Sequence, residues 1–389
     1  MIQNPVALAF ILTGIVALLL QLKKVRPRFF GVLPVPFWCY ALPMVLGTAG
    51  IFPSASPLYG ILGRYALPFC LALLLINVDL PALTRLGRPA LAALGLGAAG
   101  IAAGAALGFG LFHRGLPPES WKAVGALSAS WIGGSANMLA VKEALAAPEN
   151  VFAPVIVVDT FFAYGWMAFL IFLAGHQDRF DRWTGAVIPA GADPAPSAAR
   201  RGIPWAGVPA AAAGLAALSI FFGDRAGPLL TAGLARLGPR LAQTFTPSAW
   251  TVLAVTTASL GASLTGRFGA RADRTEGLGT FALYLLLASL GARASLFALA
   301  RAPLFLAVGA CILATHALIL FWGGRKLRLP LFLLASASQA CVGGVVSAPM
   351  VSAVYRPALS AVGLLLAVAG NVAGTYAGLL IAHFCSLWG

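Results

Sequence analysis

Twelve stretches of this 389-residue chain are each long and apolar enough to cross a bilayer, and no water-soluble core can absorb such a pattern. A helix needs roughly 20 apolar residues to traverse the hydrocarbon. The stretches are 5–22, 33–53, 60–80, 88–112, 121–146, 151–175, 204–222, 247–265, 277–296, 302–323, 329–355 and 359–386. A further segment, 227–243, is borderline because Arg236 and Arg240 interrupt it. Hydrophobic residues make up 60% of the chain and charged residues only 10%, against about 25% charged in soluble domains. An all-α integral membrane protein of the bacterial inner membrane is the expected class. The first run has no preceding basic residue and no small-residue cleavage site, so it reads as a retained span.

A net charge of +15 invites a nucleic-acid reading. Basic residues here sit instead in short connectors, Lys23, Lys24, Arg26 and Arg28, then Arg325, Lys326 and Arg328. That is the positive-inside distribution, so lipid rather than nucleic acid is the expected partner. The five cysteines (39, 70, 311, 341, 385) are odd in number and form no CxxC pair, which argues against a disulfide framework or metal centre. All four His are expected outside the apolar runs or at their edges.

The polar connector 176–203, with a Pro/Ala-rich stretch over Ala190–Ala199, separates two similar halves: 1–175, then a linking helix over 204–222 and a second repeat over 223–389. Ser128–Gly134 aligns with Ser338–Gly344, Asp159–Tyr164 with Asn371–Tyr376, and Asp79–Pro89 with Arg293–Pro303, in the same order. Counting 227–243 as a thirteenth span inverts the second half. It also places 23–28, 267–274 and 325–328 together in the cytoplasm. The N-terminus is then periplasmic, the C-terminus cytoplasmic, and 176–203 periplasmic, where Arg179, Arg182, Arg200 and Arg201 fit poorly.

In each half the fifth span carries Gly-Gly amid polar residues: Ser130, Gly133, Gly134, Ser135 and Asn137, then Ser338, Gln339, Gly343, Gly344 and Ser347. Unpaired backbone survives in lipid only where protein or a water-filled cavity shelters it. Paired helix breaks at matching places in two repeats point to a transporter's binding site. A single Gly-Gly would more simply be a packing feature; two in register favour a site. Of the acids within apolar surroundings, Asp159 is the most informative, because a carboxylate at that depth signals function. It would hold Na⁺ or a proton, with Thr160 beside it and Asn371 as its neutral mate; a structural ion pair with Lys142 or Arg64 is the alternative. Glu143 reads equally as a site residue or as interfacial. Asp79 reads as a helix-end cap, with Arg293 a candidate partner.

Trp131–Glu143, Val158-Asp159-Thr160 and the Gln177/Phe180–Trp183 tail resemble a bacterial and plastid membrane family, domain of unknown function 819. The resemblance implies kinship with cation:proton antiporters and bile-acid:sodium symporters. From it follow about 13 helices in two inverted repeats, core and panel domains, and a homodimer. Two discontinuous helices, 121–146 and 329–355, would cross, flanked by Asp159 and Asn371. One departure is that Asp159 is followed by Thr160, where sodium–proton antiporters often carry a second acid. The expected function is a secondary transporter of a small solute, an organic anion or an amino-acid-like molecule. Na⁺ or H⁺ would drive it through elevator-type alternating access, without a cofactor. The competing reading is a cation:proton antiporter with no organic substrate. No HExxH, GxSxG or ATP-binding loop suggests an enzyme or a primary pump.

Overall fold

The computed structural model describes residues 2–33, 35–83, 86–186, 207–265, 272–356 and 360–388. The connector beyond 186, with Ala190–Ala199, Arg200 and Arg201, and residues 267–271 lie outside them. Every regular element among the described residues is helical. The principal helices are α1 (Pro5–Val25), α2 (Val35–Thr48), α3 (Pro57–Ile76), α4 (Gly87–Phe112), α5 (Ser120–Gly133), α6 (Ser135–Ala144), α7 (Glu149–Ala174) and α8 (Gln177–Thr184). Then follow α9 (Gly207–Arg225), α10 (Gly227–Leu237), α11 (Pro239–Thr244), α12 (Pro247–Leu264), α13 (Ala272–Arg293), α14 (Ala302–Lys326), α15 (Leu331–Val342), α16 (Gly344–Tyr355) and α17 (Ser360–Ser386).

Among the described residues, seven helices (α1, α3, α4, α7, α9, α14 and α17) are long and apolar enough to span a bilayer. The protein is a multi-pass all-α membrane protein. Local signals set the helix starts. Asn4 Oδ1 accepts the Val6 and Ala7 N–H groups at 2.8 and 3.3 Å, just ahead of Pro5. Thr246 Oγ1 does the same for Ala249 at 3.2 Å, ahead of Pro247.

The helices form two compact units interleaved in sequence. The first comprises Met1–Asn77, Glu143–Thr160 and Arg201–Pro303. Its helices meet through small residues: Gly47 abuts the Ala292 backbone, Gly291 that of Tyr40, and Gly223 the Thr251 side chain. Arg293 pairs with Glu149 at 3.4 Å and Arg64 with Asp224 at 2.6 Å. The segment 227–243 is not one span, because Gly238 is extended (φ 165°) and separates α10 from α11. At 1.5 Å per residue α10 is only about 17 Å long, and Thr231 Oγ1 donates to the Phe245 carbonyl at 2.7 Å, folding the pair together.

The second unit comprises Val78–Lys142, Phe161–Arg200 and Leu304–Gly389. Here the expectation of crossing broken helices is corrected. Ser352 donates to Ser336 at 2.8 Å, and the Arg356 guanidinium lies 5.0 Å from the Phe332 ring centre. In a continuous helix residues 336 and 352 would stand about 24 Å apart. α15 and α16 therefore fold back on each other as a hairpin. α5 and α6 do likewise, since a Cβ added at Gly378 of α17 would touch both Ala129 and Val141, the latter at 3.0 Å. Gly134 (φ 89°) and Gly344 (φ 70°) make the two hairpin tips in backbone regions that disfavour side chains.

Glycine seams fix the directions. Gly100 and Gly104 of α4 would each bring a Cβ within 2.7 Å of the Cα atoms of His316 and Ile312, so α4 and α14 pack antiparallel. Gly370, Gly374 and Gly378 of α17 lie against Ile132, Gly133 and Ala129, from the tip of the first hairpin toward its base. The base of the second hairpin lies at the opposite end. There Asp181 of α8 accepts the Leu331 N–H at 2.7 Å, capping α15, and Tyr355 donates to the Leu170 carbonyl at 2.7 Å. Arg325 stacks 4.3 Å over Trp183. Buried Phe332, Leu334, Ala337, Ala348 and Leu366 pack around this base.

The order long helix, hairpin, long helix thus occurs as α4, α5–α6, α7 and again, reversed in direction, as α14, α15–α16, α17. Residues 177–186 and 325–328 share one end of this unit, while Trp388 sits against Gly110 at the other. For its described part, 177–186, the expected placement of the connector opposite Arg325–Arg328 is overturned, and so is that of the C-terminus on the side of Arg325–Arg328, because hairpins return where they entered. Arg179 and Arg182 of α8 now fall at the same end of the unit as Arg325 and Lys326, as the charge rule asks.

Candidate functional site

The two hairpin tips meet inside the second unit. A Cβ built on Gly344 would lie 3.9 Å from the Gly134 Cα, and one on Gly134 would lie 3.3 Å from Asn371 Oδ1. At the first tip, Asn137 Nδ2 donates to the Gly133 carbonyl at 2.6 Å and reaches Asn371 Oδ1 at 3.3 Å. Thr375 Oγ1 donates to Asn137 Oδ1 at 2.5 Å. Gly374 and Gly133 have no room for side chains: a Cβ on Gly374 would stand 2.7 Å from the Gly133 Cα. This close seam brings α17, and Asn371 with it, against the tip.

At the second tip, Gln339 Nε2 donates to Ser347 Oγ at 2.8 Å across Gly343, whose missing side chain leaves room for that bridge. Gln339 is fully buried, and its Oε1 has no hydrogen-bond partner among the described residues. Ser130 is buried in the last turn of α5, where its carbonyl accepts the Gly134 N–H at 2.6 Å. Ser135 opens α6. The structure thus groups Gly133, Gly134, Asn137 and Asn371 at one tip and Gln339, Gly343, Gly344 and Ser347 at the other.

Ser338 turns elsewhere. Its Oγ accepts from Trp166 Nε1 at 2.8 Å and meets His316 Nε2 at 2.7 Å, while His316 Nδ1 meets the Gly97 carbonyl at 2.9 Å. A carbonyl only accepts, so Nδ1 carries the proton. Nε2 then accepts from the Ser338 hydroxyl, and every member of the chain is satisfied by a neutral imidazole. His316 corrects the expectation that all four His lie outside or at the edges of apolar runs: it is fully buried in mid-α14. Complete hydrogen bonding is what makes that burial affordable.

The remaining candidates belong to the first unit. Asp159 and Thr160 are half-buried on α7, with the Thr160 hydroxyl donating to the Ile156 carbonyl at 2.8 Å. Glu143 is half-buried, and a Cβ at Gly63 would come within 3.2 Å of its Oε2. Gly63 lies in a π-helical turn, Leu62–Ala66, a distortion common at functional sites. Arg64, considered a partner for Asp159, pairs with Asp224, and Arg293, considered for Asp79, pairs with Glu149. Among the described residues no three His, Cys, Asp or Glu side chains cluster as a metal site.

The model of the family described as protein of unknown function (DUF819) matches residues 9–387. The chain belongs to that family. It is also similar to a Bacillus subtilis protein described as uncharacterized membrane protein YjcL, with 27% identity over 364 residues, 88% of this chain and 87% of the relative. The DUF819 match runs through both hairpins, α8 and α17. One role for the family-like tail is visible in Asp181, the α15 cap, which reading the sequence alone left as a connector residue.

Proposed function

We propose that this protein is a secondary active transporter of a small solute, an organic anion or amino-acid-like metabolite, coupled to Na⁺ or H⁺. The observation that carries this reading is the meeting of two hairpin tips, Gly134 on Gly344, among uncharged amides and hydroxyls. Helices of 10 to 14 residues that turn at depth leave N–H and C=O groups without intrahelical partners. Such backbone is tolerated in a membrane where protein or a water-filled cavity shelters it, and paired breaks in two repeats mark a transporter's binding site. The reversed order of the two helix–hairpin–helix sets fits an inverted repeat, in which each hairpin would gate access from its own side.

On this reading Asp159 supplies the anionic ligand for the coupling ion, supported by Thr160 and Glu143, while Asn371 serves the hairpin tip. The unit holding the hairpins carries the solute in an elevator-type cycle, without a cofactor or enzymatic step. The resemblance adds a bacterial inner membrane and a homodimer. A second reading, cation:proton antiport without an organic solute, is favoured only by Asp159, and it leaves Gln339, Ser347 and Asn137 without a task.

The test is a thermal-shift screen of the purified protein against Na⁺, K⁺ and a small-metabolite panel, since a ligand that binds only the folded state raises its melting temperature. The proposal expects a metabolite whose stabilisation depends on the cation. Stabilisation by cations alone across the whole panel would replace it with the antiporter.

A further inference from the structure

The orphaned oxygen of Gln339 narrows the solute class. Gln339 is completely buried, its Nε2 is spent on Ser347, and its Oε1 has no protein partner among the described residues. As placed, the amide gives one Nε2 hydrogen to Ser347 Oγ and leaves Oε1 as the atom still to be paired. A buried acceptor without a donor is costly, and this one stands one turn before the tip at which Gly344 meets Gly134.

At the other tip, α6 begins with Ser135 and Ala136. Their N–H groups precede the first bonded amides of that helix, those of Asn137 and Met138 on the Gly134 carbonyl at 3.0 and 3.2 Å. The paired tips therefore offer a buried acceptor and, close by, a helix N-terminus that favours negative charge. The tip side chains Asn137, Asn371, Thr375, Gln339 and Ser347 carry no formal charge. A bare metal ion on Gln339 would lack a counter-charge from them, whereas a zwitterion brings its own.

We propose that the tips bind an amino-acid-like zwitterion, its ammonium donating to Gln339 Oε1 and its carboxylate lying at the N-terminus of α6. This rests on the transport reading above and chooses within it.

The experiment uses the full-length protein in detergent and thermal shift as readout. The probes are the twenty common amino acids, each beside its deaminated acid and its decarboxylated amine, with Na⁺ alone as a further arm. The expected result is stabilisation by at least one amino acid and by neither of its counterparts. Q339M should bind that amino acid roughly tenfold to a hundredfold more weakly, the loss expected for a hydrogen bond to a charged group. Q339E, which keeps an acceptor, should retain binding even if Q339M folds poorly. Equal stabilisation by deaminated acids, or an effect of Na⁺ alone that Q339M abolishes, would overturn the amine subsite while leaving solute transport standing. No stabilisation by any organic probe would overturn both.

Discussion

Ser338→Ala removes one hydroxyl and strands two buried groups, Trp166 Nε1 and His316 Nε2, which meet it at 2.8 and 2.7 Å. Each unpaired buried polar atom costs about 1–3 kcal/mol, so the substitution should destabilise the hairpin unit by roughly 2–6 kcal/mol. For a domain of this size that corresponds to a melting temperature lower by roughly 5–20 °C. Tryptophan fluorescence during thermal unfolding of the purified protein reads both the transition and the change around Trp166. A cycle sharpens the test: Trp166→Phe should cost less in the Ser338→Ala background than alone, because its indole has already lost its acceptor. Ligand affinity should change far less than stability, since the Ser338 hydroxyl is engaged away from the tips. A variant that melts within a degree of the wild type, or additive single and double variants, would refute the hydrogen-bond argument.

Other expectations follow from the same geometry. Gly134→Ala forces a side chain into a backbone region essentially reserved for glycine and within 3.3 Å of Asn371 Oδ1. It should cost about 1–3 kcal/mol and impair transport more than folding, and wild-type uptake by this variant would show that the tip geometry is irrelevant. Reporter fusions at Gly185 and Lys326 should read the same side and one at Trp388 the opposite side; any split between the first two contradicts the hairpin arrangement. Asp181→Ala removes the α15 cap and should cost about 1 kcal/mol, seen as faster hydrogen exchange at Leu331 and Phe332. Asp159→Asn should cripple ion-coupled accumulation while passive exchange persists, and unchanged ion-dependent uptake would remove Asp159 from the coupling role.

Helix positions were legible because apolar length is decisive in a bilayer. The tips were legible too, because Gly133-Gly134 and Gly343-Gly344 stood beside Ser, Asn and Gln. The fold-back was not. A 26-residue apolar run reads the same whether it crosses or returns, and the deciding contacts, Ser336 with Ser352 and Ala129 with Val141 beside Gly378, are tertiary. Assuming a crossing put 177–186 on the wrong side of Arg325, and Arg179 and Arg182 were the clue. His316 escaped notice because its partners, Gly97, Ser338 and Trp166, are scattered through the sequence. The α10–α11 break could have been read from Gly238-Pro239.

The most direct measurement of the central claim is uptake into proteoliposomes containing the purified protein, using the solute found by thermal shift and an imposed Na⁺ or pH gradient. The account predicts accumulation above the external concentration that collapses with the gradient and is absent from Gly134→Leu vesicles containing folded protein. Cation flux without solute movement, or equal uptake by Gly134→Leu, would contradict it.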